Sequence, residues 1–191
     1  MMKELGRPRD SRIDNAVLAA TAQLLGAVGY AALSVDAIAK QAGTSKPAIY
    51  RRWPSKAHLV HEAVFPAGIA TELPDTGSLA GDVRAMVRGT VAVFSTPAAR
   101  AALPGLLGEM TADSTLHSAL LDRFAEALGP ELHARLDAAA LRGELRGDVT
   151  AADLTEVITG IALLAALTRS AAPGDDWIDR NTTLILKGIG A

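Results

Sequence analysis

Residues 34–55 constrain this 191-residue chain most, because they predict two short helices that meet at a glycine. Val35, Ile38 and Ala39 recur at helical spacing, so one face of the first helix should be buried. Ser34 can cap that helix at its N-terminus. Gly43 can end it, since glycine adopts the left-handed conformation without a steric penalty.

The second helix is predicted to begin directly after this glycine. Thr44 or Ser45 can cap it, and Pro47 falls in its first turn, where a missing N–H costs little. Lys46 and Arg51 make this short helix basic. A helix, a glycine turn and a short basic helix together predict a helix-turn-helix, whose second helix enters the major groove of DNA.

The run from Ala42 to Lys56 resembles the signature of the tetracycline-repressor (TetR) family of bacterial regulators. That signature is Ala-Gly-Val-Ser-x-x-x-Leu/Ile-Tyr-x-His/Tyr-Phe-x-x-Lys. The chain departs from it at Thr44, Arg52 and Trp53, where the family has valine, histidine or an aromatic residue, and phenylalanine. Trp53 keeps an aromatic plug, whereas Arg52 offers phosphates or bases a different contact.

The resemblance implies an all-α protein with a three-helix DNA-binding head and a ligand-binding and dimerisation domain of about six helices. Residues 1–60 would form the head, and residues 61–191 the regulatory domain. It implies a sequence-specific transcriptional regulator, most often a repressor, that binds a palindromic operator in double-stranded DNA as a homodimer. A small-molecule effector would bind the regulatory domain, and no cofactor is implied.

Charge is distributed in a way that fits this interpretation. Residues 1–60 carry nine Lys and Arg against four Asp and Glu, a net charge of +5. The remaining residues carry ten against seventeen, a net charge of −7. A basic front end on an acidic body suits a chain whose first part meets a polyanion. The chain has no cysteine, which excludes disulfides and thiolate metal sites.

A first helix is predicted from about Ser11 to Val28, ended by Gly29-Tyr30, and it should complete the three-helix head. A short basic arm containing Arg7 and Arg9 precedes it. Two interpretations of the arm stay open: a solvated terminus, or an arm that touches phosphate or the minor groove.

The residues expected to contact DNA divide into two roles. Lys56, Arg51 and the hydroxyl of Ser34 should hold phosphates, and Tyr50 can serve either role. Base edges should be met by the start of the second helix. The full predicted set is Arg7, Arg9, Ser34, Thr44, Ser45, Lys46, Pro47, Ala48, Tyr50, Arg51 and Lys56. Ile49 and Trp53 are expected to be structural, with Trp53 plugging the seam between the head and the next helix.

The rest of the chain is predicted to be helical as well. A break is expected at Pro104-Gly105, and a kink or split at Gly129-Pro130. The expected helices cover residues 55–70, 79–94, 96–110, 114–142 and 150–168, with a final helix after Pro173-Gly174-Asp175.

An effector pocket is expected among the middle helices, which carry bulky apolar side chains, although such side chains are more often ordinary core. The candidate lining residues are Met86, Phe94, Leu103, Leu106, Leu107, Met110, His117 and Phe124.

The last two helices are too apolar to be solvated on every side. They are either core helices or, as the resemblance implies, a four-helix bundle with a second copy. The candidate interface residues are Leu154, Val157, Ile158, Ile161, Leu164, Trp177, Leu184 and Ile185.

Two other classes of protein remain as alternatives. One is a helical dimer that binds a lipid or another small apolar ligand without DNA; the other is an uncharacterised all-α enzyme. The chain has neither a His-Glu-x-x-His motif nor a phosphate-cradling glycine loop. His58, His61 and Glu62 are too few for a convincing metal site. Polar residues interrupt the uncharged stretch 15–35, so we predict no membrane span and a cytoplasmic location.

Overall fold

The computed structural model describes residues 11–66 and 74–190, and the side chains of residues 119–130 lie outside the description. Within these residues the chain forms nine helices. They are α1 (Ser11–Ala32), α2 (Val35–Gln41), α3 (Lys46–Tyr50), α4 (Lys56–Val64), α5 (Leu79–Phe94), α6 (Pro97–Ala112), α7 (Ser114–Leu141), α8 (Ala151–Thr168) and α9 (Asp175–Ile189). The all-α prediction is confirmed.

Side-chain caps set the starts of the two helices predicted from the opening motif. The Ser34 hydroxyl accepts the N–H of Ala37 at 3.1 Å, and α2 begins directly after it. The Ser45 hydroxyl accepts the N–H of Ala48 at 3.3 Å at the start of α3. Between them Gly43 has a φ of 67°, the left-handed conformation that glycine favours. The helix-turn-helix is therefore confirmed.

The first helical run ends at Val28, as predicted, but α1 resumes beyond Gly29 and continues to Ala32. Gly29 interrupts its helical geometry with φ 75° and ψ 170°. Only glycine adopts such a conformation without a steric penalty, so the kink forms at this residue. Beyond the kink, Tyr30 and Leu33 return to the core and fasten the end of the helix.

The break predicted at Pro104-Gly105 is wrong, because α6 runs through both residues. A proline inside a helix removes one backbone hydrogen bond. Here Leu103 and Leu106 are buried on either side of it, and their tertiary packing keeps the turn helical. The backbone of α7 likewise forms one helix through residues 129–130.

Two apolar clusters organise the molecule. The first, called the head core, joins α1–α4 to α6 through residues that include Val17, Leu25, Ile38, Ile49, Trp53, Leu59, Val60, Ala99 and Leu106. The second, called the body core, joins α5 to α7, α8 and α9 through residues that include Val83, Val87, Phe94, Leu103, Leu136, Leu154, Ile158 and Ile185. Helix α6 contributes to both, so the packing of the head extends well beyond residue 60.

By length and composition alone, α1 and α8 are apolar enough to cross a membrane. Their apolar side chains have partners inside the fold, however. In α1, Val17 and Leu25 are fully buried in the head core, and in α8, Leu154 and Ile158 are buried in the body core. Protein packing thus accounts for the apolar composition of one face of each helix.

Tyr30 joins three helices at the boundary between the head and α6. Its hydroxyl donates to Glu109 Oε1 of α6 at 2.5 Å, and its ring lies directly over Gly105. Its backbone carbonyl accepts from Lys56 Nζ of α4 at 3.1 Å. Burial, followed by the hydrogen bond to Glu109, raises the pKa of the Tyr30 hydroxyl, so it stays a neutral donor.

We predict opposite effects for alanine at two glycines of α6. A Cβ at Gly105 would lie 2.1 Å from Cδ1 of Tyr30, whereas one at Gly108 meets nothing within 4 Å. Gly105→Ala should lower the free energy of unfolding by roughly 1–3 kcal/mol through overpacking. Gly108→Ala should raise it by about 0.5–1 kcal/mol through helix propensity. Urea unfolding measures both, and equal effects would show that the Tyr30 ring does not occupy this space.

Candidate nucleic-acid interface

Helix α3 presents most of the residues predicted to read DNA on a face that points away from the protein. Ile49 on the opposite side is only 1% exposed and belongs to the head core. Its burial fixes how the helix is rotated about its own axis. The exposed residues are Ser45, Lys46, Pro47, Tyr50 and Arg51, and Thr44 and Ala48 beside them are half-buried.

Trp53 anchors the C-terminal end of this motif, as predicted. It is 5% exposed, and its indole Nε1 donates to Glu62 Oε2 of α4 at 2.9 Å. The ring therefore fills the seam between α3 and α4 and has its polar atom satisfied. Its place in the head core confirms the sequence-based interpretation.

Arg52, which departs from the family signature, has a role that the sequence did not reveal. Its guanidinium pairs with the carboxylate of Asp14 on α1, and both side chains are mostly buried. It also donates to the carbonyl oxygen of Ala48 at 3.2 Å. Arg52 therefore fastens the end of α3 to α1 and does not extend the exposed face. A pairing across 38 residues leaves no local sequence signal.

Lys56 is held within the protein in a way that was not predicted. Its ammonium donates to the Tyr30 carbonyl and lies 4.1 Å from the centre of the Tyr30 ring. This cation–π contact and hydrogen bond give the lysine a structural role at the start of α4. A lysine ammonium has three donors, so it can also bind a phosphate in this position.

The remaining predicted DNA contacts are Ser34, Arg7, Arg9 and Lys46. The Ser34 hydroxyl is exposed but already serves as the cap of α2. Arg7 and Arg9 lie outside the described residues. Lys46 forms an ion pair with Asp36 of α2, with 2.8 Å between Nζ and Oδ2. That hydrogen bond, followed by the attraction between the charges, raises the pKa of Lys46. Asp36 was not among the predicted site residues.

Comparison with known protein families assigns both parts of the chain. Residues 17–63 match the family described as bacterial regulatory proteins, tetR family, and residues 73–185 match the tetracyclin repressor-like C-terminal domain. The chain belongs to the TetR family. The head geometry above is thus the helix-turn-helix of a TetR-family regulator.

Individual relatives agree with this assignment. An uncharacterised HTH-type transcriptional regulator of Mycobacterium tuberculosis is 30% identical over 90% of this chain and 82% of its own length. The DNA-binding transcriptional repressor TetR of Mycobacteroides abscessus is 35% identical over 70% of this chain and 71% of its own. Among solved structures, the TetR family transcription regulator SCO0332 is 26% identical, with a TM-score of 0.66 over 93% of this chain and 98% of its own.

The eight residues predicted to line an effector pocket in this TetR-family chain differ in how deeply they are buried. Four of them are buried in apolar clusters: Met86, Phe94 and Leu103 in the body core, and Leu106 in the head core. These side chains already have protein neighbours, as core residues do.

The other four candidates are less enclosed. Leu107 and Met110 are half-buried on α6, and His117 is exposed on α7. The side chain of Phe124 lies outside the described residues. An open cleft of about 620 Å³ lies elsewhere, at the connection of α8 to α9, where residues 168–177 and Arg180 line it.

The candidate dimer residues divide between the interior and the surface. Leu154, Ile158 and Ile185 are buried in the body core. This revises the sequence-based interface, because these three side chains already pack within their own chain. Ile161 and Trp177 are half-buried. On α8 and α9 the exposed large apolar side chains are Val157, Leu164 and Leu184, together with Leu167, which was not predicted.

The histidines of α4 are not arranged as a metal site. His61 is buried and packs its ring 5.3 Å from that of Phe65, while Nδ1 of His58 lies 2.9 Å from the Ser55 hydroxyl. Within the described residues, no three His, Asp or Glu side chains are placed to hold a metal ion.

We predict that the Trp53 anchor sets the stability of the head. Trp53→Ala should lower the free energy of unfolding by roughly 3–5 kcal/mol, because it removes a buried aromatic side chain. DNA binding should fall with it while dimers persist. Trp53→Phe, which keeps an aromatic ring but loses part of the buried volume and the bond to Glu62, should cost less. Thermal unfolding and sedimentation measure these effects, and a stable Trp53→Ala protein that loses only sequence preference would place Trp53 against DNA.

Proposed function

We propose that this TetR-family regulator is a cytoplasmic repressor that binds a palindromic operator as a homodimer and is controlled by a small-molecule effector. Family membership makes it a helix-turn-helix DNA-binding transcriptional regulator. The observation that carries the proposal is the orientation of α3. Its apolar side chain Ile49 is buried in the protein, while its polar side faces solvent. The relatives have the names of regulators, and we propose no catalytic activity.

The proposed contacts follow from where each side chain lies. The start of α3 meets base edges through Thr44, Ser45, Lys46 and Ala48, with Pro47 beside them. Phosphates are held by charged groups and hydroxyls at the rim of this face. We assign these phosphate contacts to Arg51, Lys56, Ser34 and Tyr50. Contacts of the N-terminal arm with phosphate or the minor groove are assigned to Arg7 and Arg9.

The exposed apolar side chains of α8 and α9 support a symmetric dimer. Val157 and Leu164 lie seven residues apart on α8 and Leu167 three residues further on, which places all three on one side of the helix. Leu184 is exposed on α9. A Cβ at Gly160 or Gly188 would meet nothing within 4 Å, so both helices leave room for the approach of a second copy. Pairing these faces in two subunits buries apolar surface that a monomer leaves in water.

Helix α6 supplies the proposed route from effector to DNA. It lies in both cores and contacts the head at Tyr30 through Gly105 and Glu109. An effector that favours another position of α6 would move α1 and α4 with it and change the spacing of the two α3 helices. Because the effector binds one of these two arrangements of α6 more tightly than the other, it weakens the operator complex. We place the effector among α5, α6 and α7, where Leu107 is incompletely buried.

Selection of duplexes from a random library tests DNA recognition directly. The protein should select an inverted repeat whose half-sites lie about 10 base pairs apart, one turn of the double helix. Arg51→Ala should then weaken binding to all duplexes similarly and lower the salt slope by about one. Arg88→Ala, which removes an exposed arginine of the regulatory domain, is the matched control. An unchanged salt slope for Arg51→Ala would remove Arg51 from the phosphate contacts.

The dimer is tested by two exposed leucines. Leu184 is 69% exposed and lies in the proposed interface, whereas Leu141 is 91% exposed at the end of α7. Leu184→Glu should give a folded monomer with lost operator affinity, because the dimer would bury an unpaired charge. Leu141→Glu should remain dimeric. Sedimentation at micromolar concentration measures this, and a Leu184→Glu dimer would exclude α9 from the interface. Ile185→Glu would test folding instead, since Ile185 is in the body core.

A further inference from the structure

An acidic side chain lies on the surface that this regulator is proposed to turn toward DNA. Asp36 is the second residue of α2, and its Oδ2 accepts from Nζ of Lys46, the first residue of α3, at 2.8 Å. Both side chains remain exposed, Lys46 by 47% and Asp36 by 70%. The pair therefore connects the two helices of the motif across its solvent side.

The pair does little for the stability of the fold. Solvent screens an ion pair as exposed as this one, and holding two long side chains together costs conformational entropy. Near DNA its effect is larger. An unpaired lysine on this face contributes a phosphate contact to any duplex, because non-specific binding is dominated by phosphate neutralisation. Asp36 opposes this contact because it holds the ammonium and neutralises its charge.

The same pair leaves Lys46 able to bind a base. An ammonium group has three donors and no acceptor, and Asp36 uses one of them. The remaining two suit the N7 and O6 acceptors that guanine shows in the major groove. Because Asp36 also restrains the long side chain, less conformational entropy remains to be lost when Lys46 meets that guanine.

We propose that Asp36 is a specificity-determining residue: it withholds Lys46 from phosphates on any duplex and positions it for an acceptor base in the operator. The inference rests on the proposed DNA-binding function and adds to it a residue that lowers non-specific affinity. A carboxylate near the start of α2 also favours the helix dipole. That purely structural role does not involve Lys46, so the two explanations separate in a variant that lacks Lys46.

The experiment compares two duplexes: one selected by the wild-type protein from a random library, and a scrambled one of the same length and composition. Asp36→Asn should bind the scrambled duplex about threefold more tightly at moderate salt, with a salt slope steeper by about one. Affinity for the selected duplex should change less, so the ratio of the two affinities falls. Asp36→Glu, which keeps the charge, should keep the wild-type ratio.

Asp148→Asn is a matched control. Asp148 forms a comparable pair with Arg146 at 3.0 Å, with exposures of 72% and 49%, in the turn before α8. The Asp148→Asn variant loses the same charge, but from the regulatory domain, and its affinities for the selected and scrambled duplexes should not change. In a Lys46→Ala background, Asp36→Asn should no longer change the ratio, because the partner through which Asp36 acts is absent.

Three results would overturn the inference. An equal gain of affinity on both duplexes would make Asp36 a general repulsive charge. A fall of the ratio that persists without Lys46 would assign the effect to the helix or to Asp36 alone. A wild-type protein that selects no duplex would refute the proposed function and this inference with it, whereas a wild-type ratio retained by Asp36→Asn would refute the inference alone.

Discussion

The structure depends on the burial of one side of a five-residue helix. Alone, α3 is too short to be stable in water, so its position is set by what surrounds it. Ile49 and Trp53 place it in the head core, and Arg52 fastens its end to α1. These anchors fix the rotation of α3, so its polar side faces solvent. The surface proposed to bind DNA is therefore set by the apolar packing beneath it.

That packing does not stop at the end of the head. Ala99 and Leu106 of α6 belong to the head core, while Leu103 of the same helix belongs to the body core. A helix shared by two cores cannot shift without changing both, since protein interiors are close-packed. Tyr30 makes this coupling specific, because Glu109, Gly105 and Lys56 all contact it. The proposed effector response needs no other connection between the two parts.

The charged side chains of the head differ in how far they are already paired within the protein. The basic excess of residues 1–60 attracts a polyanion over a long range, but it does not say which cations are free to bind one. Arg52 is committed to Asp14, Lys56 is partly committed to Tyr30, and Lys46 shares its ammonium with Asp36. Arg51 is exposed on the face of α3. Under the proposal for Asp36, these contacts reduce non-specific attraction to DNA on the face that needs specificity.

The sequence alone determined the helices whose ends carry local signals. The side chains of Ser34 and Ser45 cap the starts of α2 and α3, and the backbone of Gly43 forms the turn between them. Both helices and the turn could therefore be predicted. Those signals act within a few residues and are independent of the rest of the fold.

Tertiary structure decided everything that depends on partners far along the chain. Pro104 predicted a break, yet buried leucines on both sides of it keep α6 helical. Apolar periodicity showed that α8 and α9 each bury a face, but only packing showed that Ile158 and Ile185 face α5 and its neighbours while Leu164 and Leu184 remain outside. The pairs of Asp14 with Arg52 and of Asp36 with Lys46 left no pattern in the sequence. Their partners meet only because the helices fold together, and local spacing carries no record of such contacts.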